Sequence, residues 1–331
     1  MPLGYIYATL AYVTWGCYPL YWRQLVNVSP WQITAHRILW AFVFLLLYLV
    51  VTKQWSTTRA ISRRDVMFST ASGLLVSAHW LVWLWTVNGQ DIVEASLGSF
   101  LTSFVTMLLG VVFLHERLRR CEWIAVLLAF TGVVTVSIAN REVPSTAFAL
   151  AITFGLYGFV KKQTPLEAVH STALEFGIMS ISSLIYLIVV EAHGTPQGGS
   201  FGRGNLLTSL LLVGGGVVTA VPYVWFAAAA QRLPLTVLGL FACIVPTGNL
   251  VIGVAVYDEP FSAMKLVGFV CVWVGLAIFS VAKLSQTNRD DKMAILTPPQ
   301  TIGAGVPILQ EASPAELVLQ GNADLVDRIA Y

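Results

Sequence analysis

Apolar runs long enough to cross a bilayer recur along this chain, each closed by charge, proline or glycine. They fall near residues 4–22, 31–51, 66–88, 92–114 and 121–139, then near 146–162, 171–190, 204–229, 235–257 and 263–283. About 20 apolar residues in a helix span the roughly 30 Å of a hydrocarbon core. In hydrocarbon a helix satisfies its own backbone groups. The pattern therefore predicts an all-α polytopic membrane protein with ten transmembrane helices. The eighth run is overlong and contains "VGGG" and Pro222, which predicts a bend or break there.

Composition agrees with the pattern. Hydrophobic residues make up 56% of the 331 and charged residues 11%, against about 25% charged in soluble domains; the mean hydropathy is +0.74. The four cysteines, Cys17, Cys121, Cys243 and Cys271, lie in or beside apolar runs without CxxC spacing. They read as small apolar core residues, and neither a disulfide framework nor a zinc site is indicated. The first run, "YIYATLAYVTWGCYPLYW", has no basic leader and no small-residue cleavage site, so a retained span is expected.

Orientation follows from loop arginine and lysine. One side receives Lys53, Arg59, Arg63, Arg64, Arg117, Arg119, Arg120, Lys161, Lys162 and Arg232; the other receives Arg23, Arg141, Arg203 and Lys265. Ten against four places both termini in the cytoplasm. From Ser285 to Tyr331 the hydrophobic density falls, and "TPPQTIGAGVP" reads as linker within a mostly disordered cytoplasmic tail.

The chain also repeats itself. "LGSFLTSFVTMLLGVVFLHERLRRCEWIAVLLAFTG" from Leu97 parallels "LGLFACIVPTGNLVIGVAVYDEPFSAMKLVGFVCVWVG" from Leu238. The pairs Gly110 and Gly253, Glu116 and Glu259, and Gly132 and Gly275 share an offset of 143 residues, whereas the openings differ by 141. Upstream, "WGCYPLYWRQ" from Trp15 parallels "FGLYGFVKKQ" from Phe154 at 139. This divides the chain into repeats at 1–140 and 141–284 and a tail at 285–331. With five spans each, the second repeat must enter the membrane in the opposite sense. Two inverted five-helix repeats suit alternating access, with solute held between them near the midplane.

The stretches "AYVTWGCYPLYWRQL", "AHRILWA", "EASLGSF", "LHERLRRCEW", "LTVLGLF" and "YDEP" occur in order across residues 4–283. Together they resemble the RarD-type permeases of the EamA group in the drug/metabolite transporter superfamily. The resemblance implies a ten-helix inner-membrane transporter; it implies no particular substrate, and the tail lies outside it.

Candidate site residues come from depth. Arg37 lies about 9 Å below the outer edge of the second span at 1.5 Å per residue, in the same layer as Tyr18, His79 and Asn249. Trp15 and Pro246 lie somewhat deeper. Either Arg37 snorkels to the interface or it lines a central cavity, where its donor fork suits an anionic solute; the resemblance, which includes "AHR", favours the cavity. His36 points about 100° away on the helix, so the two serve different surroundings. His79 is either a proton or solute ligand or a histidine bonded to a backbone carbonyl, and Trp83 and its neighbour Trp80 accompany it. The candidate solute-binding set is Trp15, Tyr18, His36, Arg37, His79, Trp83, Pro246 and Asn249, with His79 and Glu175 as candidate proton carriers. Glu175 also reads as a headgroup-level carboxylate, and Asp91 and Glu94 as helix N-terminal charges. Trp22, Trp31 and Trp55 suit an interfacial aromatic belt, whereas Trp40 and Trp85 join the deeper tryptophans that suit a pocket or the core.

Enzyme signatures are poor. No GxxxxGK loop or GxSxG elbow occurs, and "HERLR" fails HExxH. No catalytic residue, metal ligand or cofactor is expected, nor a nucleic-acid partner. The expected function is secondary transport of a small organic metabolite or drug across the inner membrane. The alternative is a membrane-embedded enzyme or a structural or signalling membrane protein. Whether the protein acts as a monomer or a homodimer stays open at this point.

Overall fold

Helices account for every regular element among the described residues of the computed structural model. Those residues are 2–54, 61–88, 92–140, 145–193, 201–202, 205–258, 263, 266–275, 277–279 and 281–282. The tail from 285 and residues Trp55, Arg59, Asp91, Arg141, Arg203, Glu259, Lys265 and Lys283 lie outside them, as does the side chain of Glu94.

In chain order the elements are α1 (Pro2–Gly16), α2 (Tyr18–Trp22), a 3-10 turn (Arg23–Leu25), α3 (Pro30–Val51), α4 (Arg63–Asn88) and α5 (Ile92–Phe113). There follow α6 (Arg120–Asn140), α7 (Ser145–Gln163), α8 (Ala168–His193), α9 (Leu206–Arg232), α10 (Leu235–Ala242) and α11 (Ile244–Tyr257). Five stretches among the described residues are long and apolar enough to cross a membrane: Pro30–Val51, Arg63–Thr86, Ala168–Val190, Leu206–Arg232 and Leu235–Tyr257.

Local chemistry sets the helix ends. Ser62 and Asp65 form a reciprocal capping box at the start of α4, with the Ser62 N–H donating to Asp65 Oδ2 at 2.8 Å and the Asp65 N–H to Ser62 Oγ at 3.2 Å. Asn205 caps α9 by accepting from the Leu207 N–H at 3.1 Å. The start of α10 is capped from a distance: Glu116 accepts the Leu235 and Thr236 N–H groups at 2.7 and 2.8 Å. That carboxylate both satisfies two orphan donors and complements the helix dipole.

Breaks occur where the sequence pattern did not place them. α9 runs unbroken through Pro222. The helical run near the N-terminus instead breaks at Cys17 between α1 and α2, and a second break falls at Cys243 between α10 and α11. The two broken helices meet closely: a Cβ on Gly248 would lie 2.9 Å from the Gly16 Cα. Such backbone approach needs small residues on both sides. Of the four cysteines only Cys243 is buried, and Cys17 and Cys121 are exposed; all four are free thiols.

Eleven of the buried residues in the main core are aromatic. They are Tyr12, Trp15, Tyr18, Trp22, Trp80, Trp83, Phe154, Tyr157, Phe176, Tyr223 and Phe226 from α1, α2, α4, α7, α8 and α9. This cluster sits between helices from both ends of the sequence, and it encloses the site.

Candidate functional site

A side chain that helix geometry would bring into hydrocarbon anchors the site. Arg37 is 1% exposed, and α3 turns its guanidinium into the aromatic core and away from the lipid. Its Cζ lies 4.0 Å from the Trp80 ring centroid, 4.4 Å from that of Trp22 and 5.7 Å from that of Tyr18. The Nε–H donates to Thr219 Oγ1 on α9 at 3.1 Å. Both terminal nitrogens, Nη1 and Nη2, are buried without a hydrogen-bond partner. The ring faces compensate part of the cation's lost hydration. The faces themselves supply no acceptor, and the Tyr18 hydroxyl oxygen stands near the guanidinium without closing a well-formed bond to Nη1 or Nη2, so donor capacity remains for a ligand.

Beside the guanidinium lies a cavity of about 60 Å3 lined by Arg37, Trp15, Tyr18, His79, Trp83 and neighbouring rings. It holds a few waters at ~10–15 Å3 each, well short of the ~300–1,000 Å3 of a pocket for an organic solute. Its walls must separate before such a solute fits. Trp15 packs edge-on against Phe154 at 5.4 Å and tilted against Tyr223 at 5.0 Å. Tyr18 donates to the Val218 carbonyl at 2.9 Å and Trp83 lies 6.2 Å from the Tyr18 ring. Trp80 Nε1 donates to the Tyr223 hydroxyl at 2.5 Å, tying α4 to α9 across the core.

His79 faces this cavity, and its Nδ1 lies 3.2 Å from the Leu150 carbonyl oxygen. A carbonyl only accepts, so Nδ1 carries the proton and Nε2 is left to accept in the neutral ring.

The other sequence-predicted residues stand apart. His36 is buried with its ring 5.2 Å from Phe201 and its Nδ1 without a partner, on a different side of α3 from the cavity. Pro246 and Asn249 are buried in α11 but are not cavity walls. Asn249 is 0% exposed, and neither atom of its amide has a hydrogen-bond partner.

Glu175 corrects the headgroup reading. It is fully buried, 2.6 Å from Lys161 Nζ, and accepts from Ser72 Oγ at 2.8 Å. Trp22 belongs beneath the guanidinium, not in an interfacial belt, whereas Trp31 is exposed as a belt residue would be. Trp85 is 77% exposed and is not a wall of this cavity.

Sequence reasoning missed Tyr12, Thr102, Phe154 and Tyr223 in the cavity wall. Phe154 was already visible as the repeat partner of Trp15, and Tyr223 lies 143 residues after Trp80, so the repeat itself was the available signal. Among the described residues no group of three or more His, Cys, Asp or Glu side chains is placed to hold a metal ion.

Comparison with known proteins adds the ancestry. The model of the EamA-like transporter family matches twice, over residues 2–138 and 144–281. The uncharacterized transporter YojE of Bacillus subtilis is 39% identical over 287 residues, covering 85% of this chain and 94% of its own length. Protein RarD of Escherichia coli is 34% identical, covering 87% and 97% respectively. An uncharacterized transporter of Vibrio cholerae is 36% identical, covering 84% and 92%. A solved crystal structure at 15% identity superposes with a TM-score of 0.63 over 84% of this chain and 97% of that one, a likeness of fold alone.

Proposed function

The chain belongs to the EamA-like transporter family as a RarD-type member and is a multi-pass membrane transporter; from that premise we propose that it is a secondary transporter working by alternating access. In this reading ten helices form two inverted five-helix repeats, residues 1–140 and 141–284, followed by a cytoplasmic tail at 285–331. Both termini face the cytoplasm of an inner membrane, and a small organic solute binds between the repeats.

Contacts that recur at the repeat offsets support the inverted arrangement. A Cβ on Gly216 of α9 would lie 2.5 Å from Trp40 Cβ on α3, and one on Gly73 of α4 would lie 2.7 Å from Met179 Cγ on α8. Gly73 and Gly216 are 143 apart, and Trp40 and Met179 are 139 apart. Likewise Gly16 meets Gly248 while Gly155 meets Val105, again separated by 139 and 143. Trp80 and Tyr223, themselves repeat partners at 143, hydrogen-bond to each other, as residues near a pseudo-twofold axis do. Two sides of such a duplication can exchange shapes at little net cost. The breaks at Cys17 and Cys243, with no counterpart break in α7 or α5, are the kind of asymmetry that exchange would invert.

The observation that carries the solute reading is Arg37: a buried cation with unused donor capacity beside an aromatic-walled cavity. Anionic groups match that fork, and Trp15, Trp83 and Tyr18 offer faces for an apolar body. Asn249 and Pro246 would join the solute's path on α11, His36 would stand behind Arg37, and His79 and Glu175 are the ionisable groups available to carry a coupled proton. The bilayer and the solute are the partners this requires, with no cofactor.

The test is a thermal-shift screen of purified protein against matched carboxylates and their neutral amides, because a ligand raises apparent stability by mass action. Each stabilising solute then enters a counterflow assay in proteoliposomes. Carboxylates that stabilise the protein and exchange across the bilayer support the reading. If no stabilising solute moves faster than in protein-free vesicles, the alternative of a membrane-embedded enzyme or structural protein takes its place.

A further inference from the structure

A second buried charge cluster lies outside the solute cavity. Lys161 on α7 and Glu175 on α8 are 1% and 0% exposed, with Lys161 Nζ 2.6 Å from Glu175 Oε2. Ser72 on α4 donates to that same oxygen at 2.8 Å, its Oγ lying 3.2 Å from the Ser69 carbonyl oxygen. The other carboxylate oxygen, Oε1, is buried without a hydrogen bond of good geometry, and the Tyr157 hydroxyl stands beside the carboxylate. One acceptor is thus doubly filled while its twin lacks a well-formed bond. That is an expensive arrangement for a carboxylate out of water.

Each element around Glu175 contributes a distinct group. α7 brings Lys161 and Tyr157, α4 brings Ser72, and α9 brings the Tyr223 hydroxyl. From α3, His36 and Arg37 turn to Phe201 and to the Trp22 and Trp80 faces, and Tyr48 is exposed. The Ser72–Glu175 bond joins the first repeat to the second.

We propose that Lys161, Glu175 and Ser72 form the proton-coupling site of the protein, a carboxylate that either its own lysine or a proton neutralises. This rests on the transporter reading. With the pair closed, the carboxylate bridges α4, α7 and α8 and shuts this side of the core. A hydronium ion delivers its proton to Glu175 Oε1 and leaves as water. The resulting acid no longer holds the ammonium, and Lys161, two residues from the end of α7 at Gln163, swings to water. α4 and α8 are then free to part. Buried ion pairs contribute little net stability yet are sensitive to loss of either charge, which suits a switch. Ionisable groups within membrane spans commonly mark proton pathways.

The test needs no solute. In protein whose native cysteines are replaced, Ser69→Cys puts a thiol one turn from Ser72 at a position now 1% exposed. Labelling by a neutral thiol reagent is measured in nanodiscs as the ratio to the same probe in a Glu175→Gln background, which cancels the reagent's own pH dependence. With Glu175 present, this ratio should climb at least about five-fold towards one as the pH is lowered across the range in which the protein stays folded, because protonation shifts the population. Lys161→Gln should move the midpoint to higher pH, because removing the cation eases proton uptake. A flat ratio, or an unmoved midpoint in Lys161→Gln, overturns the proposal. Should Glu175→Gln fail to fold, the Lys161→Gln/Glu175→Gln pair, which buries no charge, replaces it as reference. A protein that passes this test but moves no solute overturns the transporter reading alone.

Discussion

Replacing Arg37 with lysine keeps the charge and removes the plane. The Nε–H bond to Thr219 Oγ1 at 3.1 Å is lost; a hydrogen bond from a charged donor contributes roughly 1.5–3 kcal/mol. The guanidinium also lies over two indole rings at 4.0 and 4.4 Å, where a desolvated cation–π contact contributes up to about 2 kcal/mol. A compact ammonium retains part of one such contact and is harder to strip of water than a guanidinium. Arg37→Lys should therefore destabilise the protein by about 2–4 kcal/mol, lowering Tm by ~5–10 °C. Arg37→Met fills similar space against the same rings and buries no charge, so it should melt within about 1 kcal/mol of the parent or above it. Thermal unfolding of the purified variants, followed by tryptophan fluorescence, gives the order Met, parent, Lys or parent, Met, Lys. Both substitutions should abolish stabilisation by carboxylate solutes, with membrane insertion intact. A lysine variant as stable as the parent would refute the reasoning, because it would mean the site is wet enough to hydrate an ammonium.

Three further outcomes are expected. Gly216→Ala should cost about 1–3 kcal/mol by chemical denaturation, because its Cβ would meet the α3 backbone at Trp40 C, 2.6 Å away, whereas Gly214→Ala, which meets only the Tyr21 hydroxyl at 2.9 Å, should cost less. His79→Ala should weaken solute binding, because the Nδ1–H bond to the Leu150 carbonyl that orients the ring in the cavity wall is lost; unchanged binding would remove His79 from the solute site. A cysteine placed in the "DEPFSAMK" turn should label from the periplasmic side of intact cells, and labelling only after permeabilisation would overturn both the orientation and the inverted repeat.

How far the site was legible depends on the kind of signal. Arg37 stood out because a charge seven residues into an apolar helix needs a reason, and the cavity wall gathers it with Trp15, Tyr18, His79 and Trp83 as depth alone suggested. Depth does not give azimuth, however. His36 and Asn249 lie near the same depth and Pro246 somewhat deeper, yet none of the three is a wall of the cavity. Trp22 and Trp85 were misassigned for the same reason: one closes over the guanidinium and the other is exposed. The partner of Glu175 was out of reach too, because Lys161 beside Lys162 reads as an ordinary loop cation until the fold brings it within 2.6 Å of the carboxylate.

The sequence by itself determined the class of protein, since hydrocarbon-length apolar runs leave the backbone only one economical conformation. It also determined the family, because that is carried by residue identities in order. Tertiary structure decided where the helices break and which charges meet. Pro222 stays inside an unbroken α9 while Cys17 and Cys243 mark the ends of helices, because a break depends on what a neighbour's packing can tolerate as well as on local propensity. Burial of a charge is likewise a property of its surroundings. Only the packed bundle could put indole faces around Arg37 and a carboxylate beside Lys161.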